Sequence, residues 1–357
     1  MTSRALLPGV LILVGLLSWG ARESLHFRFA DPDPSAAEGD WISADSDGLY
    51  HARRVARAIE EGGLAGFDPL LDHPHGAPVP WPSAYDRACT VLAGVFLATE
   101  DPSQPEFRSS LETFLASLSH FWGISTSVLI ALAGFLLLGW EAALLAGCLH
   151  AFAWGSIHTS APGVADHHAW VAMGTVLSFL FLSAAIRSRE SRAGSFLAAL
   201  AGVTTGILVA SWTAALLVVG VAGLAFILLP LSPARGTTRF GGPFFLGSGL
   251  AVLPFSLESP WLDVAPWSVV ELSWSQPVLL VAAGLAFLPA TFNPEREKAL
   301  LFRSLALGGI FLLALGISGW GPGEGIREGF SWVSRSDSFM SRVAESEPLF
   351  RPDSTGT

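Results

Sequence analysis

Residues 193–234 contain no charged side chain at all. A helix crosses about 30 Å of hydrocarbon with roughly 20 apolar residues. This run is too long for one crossing and is expected to fold as a helical hairpin, turned near Ser211-Trp212. The same reading along the chain predicts about nine spans, at 5–21, 121–140, 142–156, 169–186, 193–210, 212–230, 240–256, 276–292 and 304–320. Composition agrees: 51% of the 357 residues are hydrophobic, and only 14% are charged against about 25% in ordinary soluble domains. Mean hydropathy is +0.51. A water-soluble enzyme, a disordered chain and a coiled coil are thereby excluded. The net charge of −10, with a pI near 5.3, lacks the basic footprint of a nucleic-acid binder. Two cysteines, Cys89 and Cys148, cannot make a disulfide framework. The chain reads as an all-α polytopic membrane protein in a lipid bilayer.

Lys and Arg accumulate in cytoplasmic loops, which fixes orientation. Arg187, Arg189 and Arg192 share one loop, Arg235 and Arg239 the next but one, and Arg296, Lys298 and Arg303 the next but one again. The loops 22–120, 155–168, 257–275 and 321–357 are therefore external, and the N-terminus is cytoplasmic. The first span follows Arg4 with no A-x-A site after it, so it reads as uncleaved. The half-length run Ala88–Thr99 would invert every later loop if it crossed, and is read as an interfacial or re-entrant helix. The chain thus divides into a first transmembrane span (1–21), an external loop with an amphipathic helix (22–120), an eight-span core (121–320) and an external C-terminal segment (321–357).

Ionisable residues at a membrane edge are costly to keep there and suggest function. In Asp45-Ser-Asp47-Gly-Leu-Tyr-His51-Ala-Arg53, Asp47 falls at the start of the amphipathic helix predicted over Gly48–Gly62. Leu49, Val55, Ala56 and Ile59 form its apolar face and Arg53, Arg54 and Arg57 its polar one. Asp47 is either an N-cap carboxylate or a metal ligand or base. In Gly163-Val-Ala-Asp166-His167-His168, carboxylate and imidazole are either a polar collar at a helix start or a pair turned toward one cation. An imidazole in the set leans from Mg²⁺ toward Mn²⁺ or a transition metal. Glu345, in Arg342-Val-Ala-Glu345-Ser-Glu347-Pro348, reads locally as part of a solvated tail, and Glu271 lies in a similar setting one external loop earlier. His150, inside a span, reads as a hydrogen-bonded packing residue. No GK[ST] phosphate loop, HExxH, C-x-x-C or G-x-S-x-G is present.

With these residues in place, the chain resembles the catalytic subunits of oligosaccharyltransferases, archaeal type and bacterial relatives, over essentially its whole length. Asp47-Gly-Leu-Tyr50-His51-Ala-Arg53 is similar to the family's Asp-x-x-Tyr-His-x-Arg pattern after the first span. Gly163-Val-Ala-Asp166-His167-His168 is similar to the motif that opens its fourth span, where other branches carry Asp-x-Asp or Asp-x-Glu. Val343-Ala-Glu345, with Pro348 following, matches its glutamate in an external loop after five further spans; Glu271 follows only three, so Glu345 is preferred. The resemblance implies a C-type glycosyltransferase fold that moves a glycan from a polyprenyl (pyro)phosphate lipid to Asn of an Asn-x-Ser/Thr sequon. The expected cofactor is Mn²⁺ or Mg²⁺ on Asp47, Asp166 and His168. Asp47 and Glu345 would engage the acceptor carboxamide, and His51, Arg53 and His167, with Glu345, would contact substrate; His73 and His75 are further candidates for the pyrophosphate.

The family continues with four more spans and a soluble domain whose Trp-Trp-Asp-Tyr-Gly motif recognises the sequon hydroxyl residue. That motif is missing here, so the expectation is a truncated chain, or one half of a split enzyme completed by a separate chain. The expected setting is the cell (inner) membrane with the active site on the external, periplasmic face. Competing expectations are another C-type enzyme using lipid-linked single sugars, an inactive fragment, or a transporter. Transporters usually carry mid-span charge and inverted repeats, and neither is evident here.

Overall fold

A computed structural model describes residues 3–24, 46–102, 104–188, 192–228, 237–292 and 321–334, with isolated positions between 302 and 309. Residues 25–45, most of the predicted span 304–320 and the tail carrying Glu345 lie outside the described residues. Among the described residues the fold is all-α apart from one small hairpin. In it β1 (Phe67–Asp68) pairs antiparallel with β2 (Ala77–Pro78), Phe67 opposite Pro78.

Among the described residues, five helical stretches are long and apolar enough to cross a membrane: Glu106–Leu138, His168–Arg187, Arg192–Val209, Thr238–Leu257 and Ser275–Phe292. They correspond to helices α4 (Pro105–Leu138), α7 (His168–Arg187), α8 (Arg192–Val209), α10 (Gly241–Leu257) and α12 (Ser275–Phe292). Three other predicted crossings appear as shorter helices: α1 (Leu7–Glu23), α5 (Trp140–Ala151) and α9 (Leu216–Leu228). The uncharged run does turn at Ser211-Trp212, between α8 and α9. Leu138, Phe196, Leu217, Leu250 and Phe292 are exposed on the bundle's outside, where hydrocarbon rather than water is the natural surrounding.

The largest difference from the sequence expectation is α4. It was expected at 121–140 and instead begins at Pro105. Its 34 residues extend about 51 Å at 1.5 Å each, well past the hydrocarbon thickness. Its early turns carry Phe107, Leu111, Leu115 and Leu118 as a helical stripe buried against the helices that precede it in the chain. Glu106, Arg108 and Glu112 interrupt the apolar count without interrupting the helix, and Arg108 and Glu112 sit one turn apart, 3.9 Å from each other.

That stripe packs on α2 (Ser46–Glu61) and α3 (Ala84–Phe96), the amphipathic and interfacial segments expected from sequence. Helix α3, at 13 residues, reaches about 20 Å and does not cross. Tyr85, Cys89 and Ala93 face α2 and α4, while Val91, Val95 and Phe96 face outward. The arginines expected on the solvent face of α2 divide: Arg57 pairs with Glu61, but Arg54 is buried.

Within the membrane bundle, α10 packs between α8 and α12. Lipid offers no hydrophobic gain for helix association, so close backbone approach matters more there. Gly202 and Gly206 on α8 supply it: a Cβ at either would overlap a carbonyl oxygen of α10, that of Phe244 or Ser248. The outcome is a helical platform with one end roofed by α2, α3 and the start of α4.

Candidate metal centre

The site begins with a turn that only glycine makes cheaply. Gly163 adopts φ +97°, a region costly for residues with a Cβ. The chain then runs buried from Ala161 to His167 and enters α7 at His168. Asp166 sits at that helix start, and its Oδ1 accepts the His167 backbone N–H at 2.6 Å. A carboxylate is favoured there by the helix dipole. The Tyr85 hydroxyl, from α3, donates to the Asp166 carbonyl oxygen at 3.2 Å and fixes the main chain from the other side.

Asp166 is 3% exposed, and among the described residues no arginine or lysine pairs with it. Its neighbours are imidazoles. His167 Nδ1 lies 2.6 Å from Oδ1 at an angle too poor for a hydrogen bond, and His168 Nδ1 contacts Oδ2. Across the site, His51 Nε2 of α2 stands 3.8 Å from Oδ1. Burial pushes the Asp166 carboxyl up, but its contacts with His167 and His168 outweigh this and hold it well below the usual carboxylate range. The site therefore sets an enclosed carboxylate against imidazoles rather than against a fixed cation.

His51 is held from behind. Its Nδ1 donates to Asp86 Oδ1 at 2.6 Å, and Asp86 Oδ2 accepts from Arg54 at 2.6 Å. Arg54 also donates to the Trp81 carbonyl oxygen at 3.0 Å. Burial lowers the His51 pKa, and the Asp86 carboxylate more than reverses that, leaving it above the ordinary histidine value. His51 Nε2 and both ring nitrogens of His167 are buried with no hydrogen-bond partner. A buried polar atom without a partner is costly. His51, Asp166 and His167 offer ligand atoms within 4.8 Å of one another, so they could hold one metal ion. One carboxylate oxygen and two imidazole nitrogens suit a borderline divalent cation better than Mg²⁺.

The sequence expectation named Asp47, Asp166 and His168 as ligands. Asp166 is central, and His168, 44% exposed, touches its second oxygen. Asp47 lies in the first turn of α2, four residues before His51 and hence on the same helix face. The converging set instead includes His51 and His167, which were expected as substrate contacts. Arg53 pairs with Asp68 and lies over the Tyr50 ring at 5.0 Å. His73 and His75 are on the exposed turn between β1 and β2. Sequence reasoning passed over Asp86 and Arg54. A carboxylate in the first turn of a helix that is mainly apolar beyond Arg87 was the signal available for Asp86.

The loop carrying Asp166 is also anchored to α1. Arg22 of α1, fully buried, donates from Nε to Ser160 Oγ (2.7 Å), from Nη2 to Ser156 Oγ (2.6 Å) and from Nη1 to Ser18 Oγ (2.5 Å). A buried guanidinium is tolerable only when its donors are satisfied in this way. Ser156 lies on the short helix α6 (Trp154–His158), and Ser160 follows it. His150 accepts or donates in the same cluster, with Ser127 at 2.9 Å and Ser156 at 3.1 Å, in the packing role expected.

Glu271, the alternative acceptor contact, sits in the loop between α10 and α12. That loop is covered by α13 (Gly321–Val333), whose Gly321, Gly325 and Gly329 lie on Trp267 and Val269. Burial, and then Glu328 of α13, push Glu271 up to about 7 from 4.5. A folded-state value above the unfolded one favours folding at low pH, and the advantage fades as pH rises through about 7. Wild type should therefore lose on the order of 2 kcal/mol between pH ~5 and ~8, after allowance for partial exposure. Glu271→Gln should flatten that slope; an unchanged pH profile of melting temperature would refute it.

A family model described as oligosaccharyl transferase STT3, N-terminal, matches residues 35–318. No curated protein matches the chain. Solved structures of the Archaeoglobus fulgidus oligosaccharyltransferase share the fold. The complex of its AglB with an inhibitory peptide and a dolichol-phosphate gives a TM-score of 0.73 at 18% identity, covering 95% of this chain and 40% of that one. The complex with Zn and sulfate gives 0.67 at 18%, covering 87% and 42%. A form tethered to an acceptor peptide containing the NVT sequon gives 0.68 at 20%, covering 87% and 38%. The chain spans about two fifths of the length of those relatives. With the family pattern running through most of its length, the chain belongs to the STT3 oligosaccharyl transferase family and corresponds to its N-terminal membrane part.

Proposed function

We propose that this chain is the membrane part of an oligosaccharyltransferase catalytic subunit. In this reading it moves a glycan from a polyprenyl (pyro)phosphate lipid to the amide nitrogen of Asn in an Asn-x-Ser/Thr sequon. It would act at the external, periplasmic face of the cell (inner) membrane, with its N-terminus cytoplasmic. The observation that carries the reading is Asp166: a buried carboxylate ringed by imidazoles, with no arginine or lysine partner among the described residues. Relatives of the same fold were solved with Zn and sulfate, with a dolichol-phosphate and with a sequon peptide, which supports the reading.

Asp166, His51 and His167 would hold a divalent cation, with His168 and Asp47 completing the set; Mn²⁺ fits these donors better than Mg²⁺. When bound, the cation supplies electrostatic stabilisation to the charge that grows on the departing (pyro)phosphate. The residues themselves position and exclude water. Tyr85 and the α7 N-terminus fix Asp166, and the roof of α2, α3 and α4 buries His51 and His167. Asp47, one turn from His51, and Glu345 would accept hydrogen bonds from the acceptor carboxamide and weaken its conjugation. Arg53 and His168, both partly exposed, would meet the lipid phosphate or its glycan.

The test is transfer of a labelled glycan from its polyprenyl carrier to a sequon peptide, using the full chain in nanodiscs with its co-purifying partners. Chelator should stop transfer and Mn²⁺ restore it, with the glycan on Asn. Asp47→Asn should lower transfer at least about 10²-fold. Chelator-resistant transfer, or a glycan found on Ser or Thr, would overturn the proposal.

A further inference from the structure

Behind the centre lies a buried group that the reaction itself does not use. Asp86, 0% exposed, is the first carboxylate of α3, and it joins two residues of α2 one turn apart in contact: His51 through Oδ1 and Arg54 through Oδ2, each at 2.6 Å. Arg54 is 9% exposed, and its second contact, the Trp81 carbonyl oxygen, holds the guanidinium in place. A guanidinium only donates. The Asp86 carboxylate therefore spends one oxygen on Arg54 and presents the other to His51 as an acceptor. An acceptor at Nδ1 places a proton on Nδ1. The neutral ring then carries its lone pair on Nε2, the nitrogen that faces Asp166 at 3.8 Å and has no hydrogen-bond partner.

We infer that Asp86, locked by Arg54, is the positioning residue that holds His51 in the Nδ1–H tautomer and so makes Nε2 a metal ligand. This rests on the metal reading above and extends it one layer outward. Metal-ligating histidines commonly donate their other ring nitrogen to a carboxylate, and removing that partner typically costs 10–100-fold in metal affinity. The Arg54 contact makes the outcome of one substitution specific. In Asp86→Asn the side-chain carbonyl must face Arg54, because Arg54 can only donate, which turns the amide NH₂ toward His51. An NH₂ at Nδ1 demands a lone pair there and drives the ring proton to Nε2. Ligation is then blocked in a side chain of almost unchanged size.

The experiment uses Zn²⁺ alone as probe, with the full chain in nanodiscs. Affinity is read by competition with a fluorescent chelator, and the ring by ¹⁵N NMR of histidine-labelled protein, with His51 assigned through its loss in His51→Asn. Wild type should show a protonated Nδ1 and a Zn²⁺-shifted Nε2. Asp86→Asn should bind Zn²⁺ about 10–100-fold more weakly and move the proton to Nε2, which a purely structural role for Asp86 would not do. Equal affinity in wild type and Asp86→Asn, or a His51 ring protonated at Nε2 in wild type, overturns the inference and leaves the metal reading standing. A wild-type chain that takes up no Zn²⁺ removes both. Should Asp86→Asn fail to fold, the wild-type ring spectrum decides the matter by itself.

Discussion

Asp166→Ala should eliminate cation uptake and lower glycan transfer by at least about 10³-fold. The response to Mn²⁺ distinguishes this from ordinary core damage. Removing the buried carboxylate relieves a desolvation cost, but its contacts with His167 and His168 outweigh that cost. A favourable charge at the α7 N-terminus, worth about 1 kcal/mol, is lost with it. The variant should therefore melt earlier than wild type in chelator, and added Mn²⁺ should widen the gap. Wild type should gain about 2.7 kcal/mol at a hundred times its Kd, and Asp166→Ala should gain nothing. A variant that still gains stability from Mn²⁺ would place the cation elsewhere.

How far the sequence reached depends on which physical signal each residue carried. Membrane helices are legible because hydrocarbon penalises every charge, and the hairpin turn at Ser211-Trp212 followed from length alone. Asp166 was legible because it stands with two histidines at a helix start, where few other reasons for such a cluster exist. The external end was not. Phe107, Leu111 and Leu115 are spaced for a helix face, yet the charges between them hid the stripe from a count of apolar residues. His51 and Asp86 are brought together by the packing of α2 on α3, a tertiary pairing that no local spacing encodes. Arg54 falls on the polar face of α2 by periodicity, and only the arrival of α3 turns that position into the interior.

Gly202→Ala should be among the most damaging single substitutions in the membrane bundle, at about 3 kcal/mol, although glycine to alanine inside a helix ordinarily stabilises by up to about 1 kcal/mol. The sign reverses because of what stands opposite. The added Cβ would overlap the Phe244 carbonyl oxygen and lie 2.8 Å from its carbon and 3.0 Å from its Cα. These are backbone atoms in the first turn of α10, with Phe244 itself fully buried, so no side chain can rotate away. Helices α8 and α10 must separate, and the adjoining contact of Gly206 with Ser248 opens with them. Gly220 on α9 supplies the control: a Cβ there meets nothing within 4 Å, so Gly220→Ala should be neutral or slightly stabilising. Thermal melts in one lipid composition would decide between packing and propensity. If the two variants shift the melting temperature alike, the close approach of α8 and α10 is not what holds this bundle together.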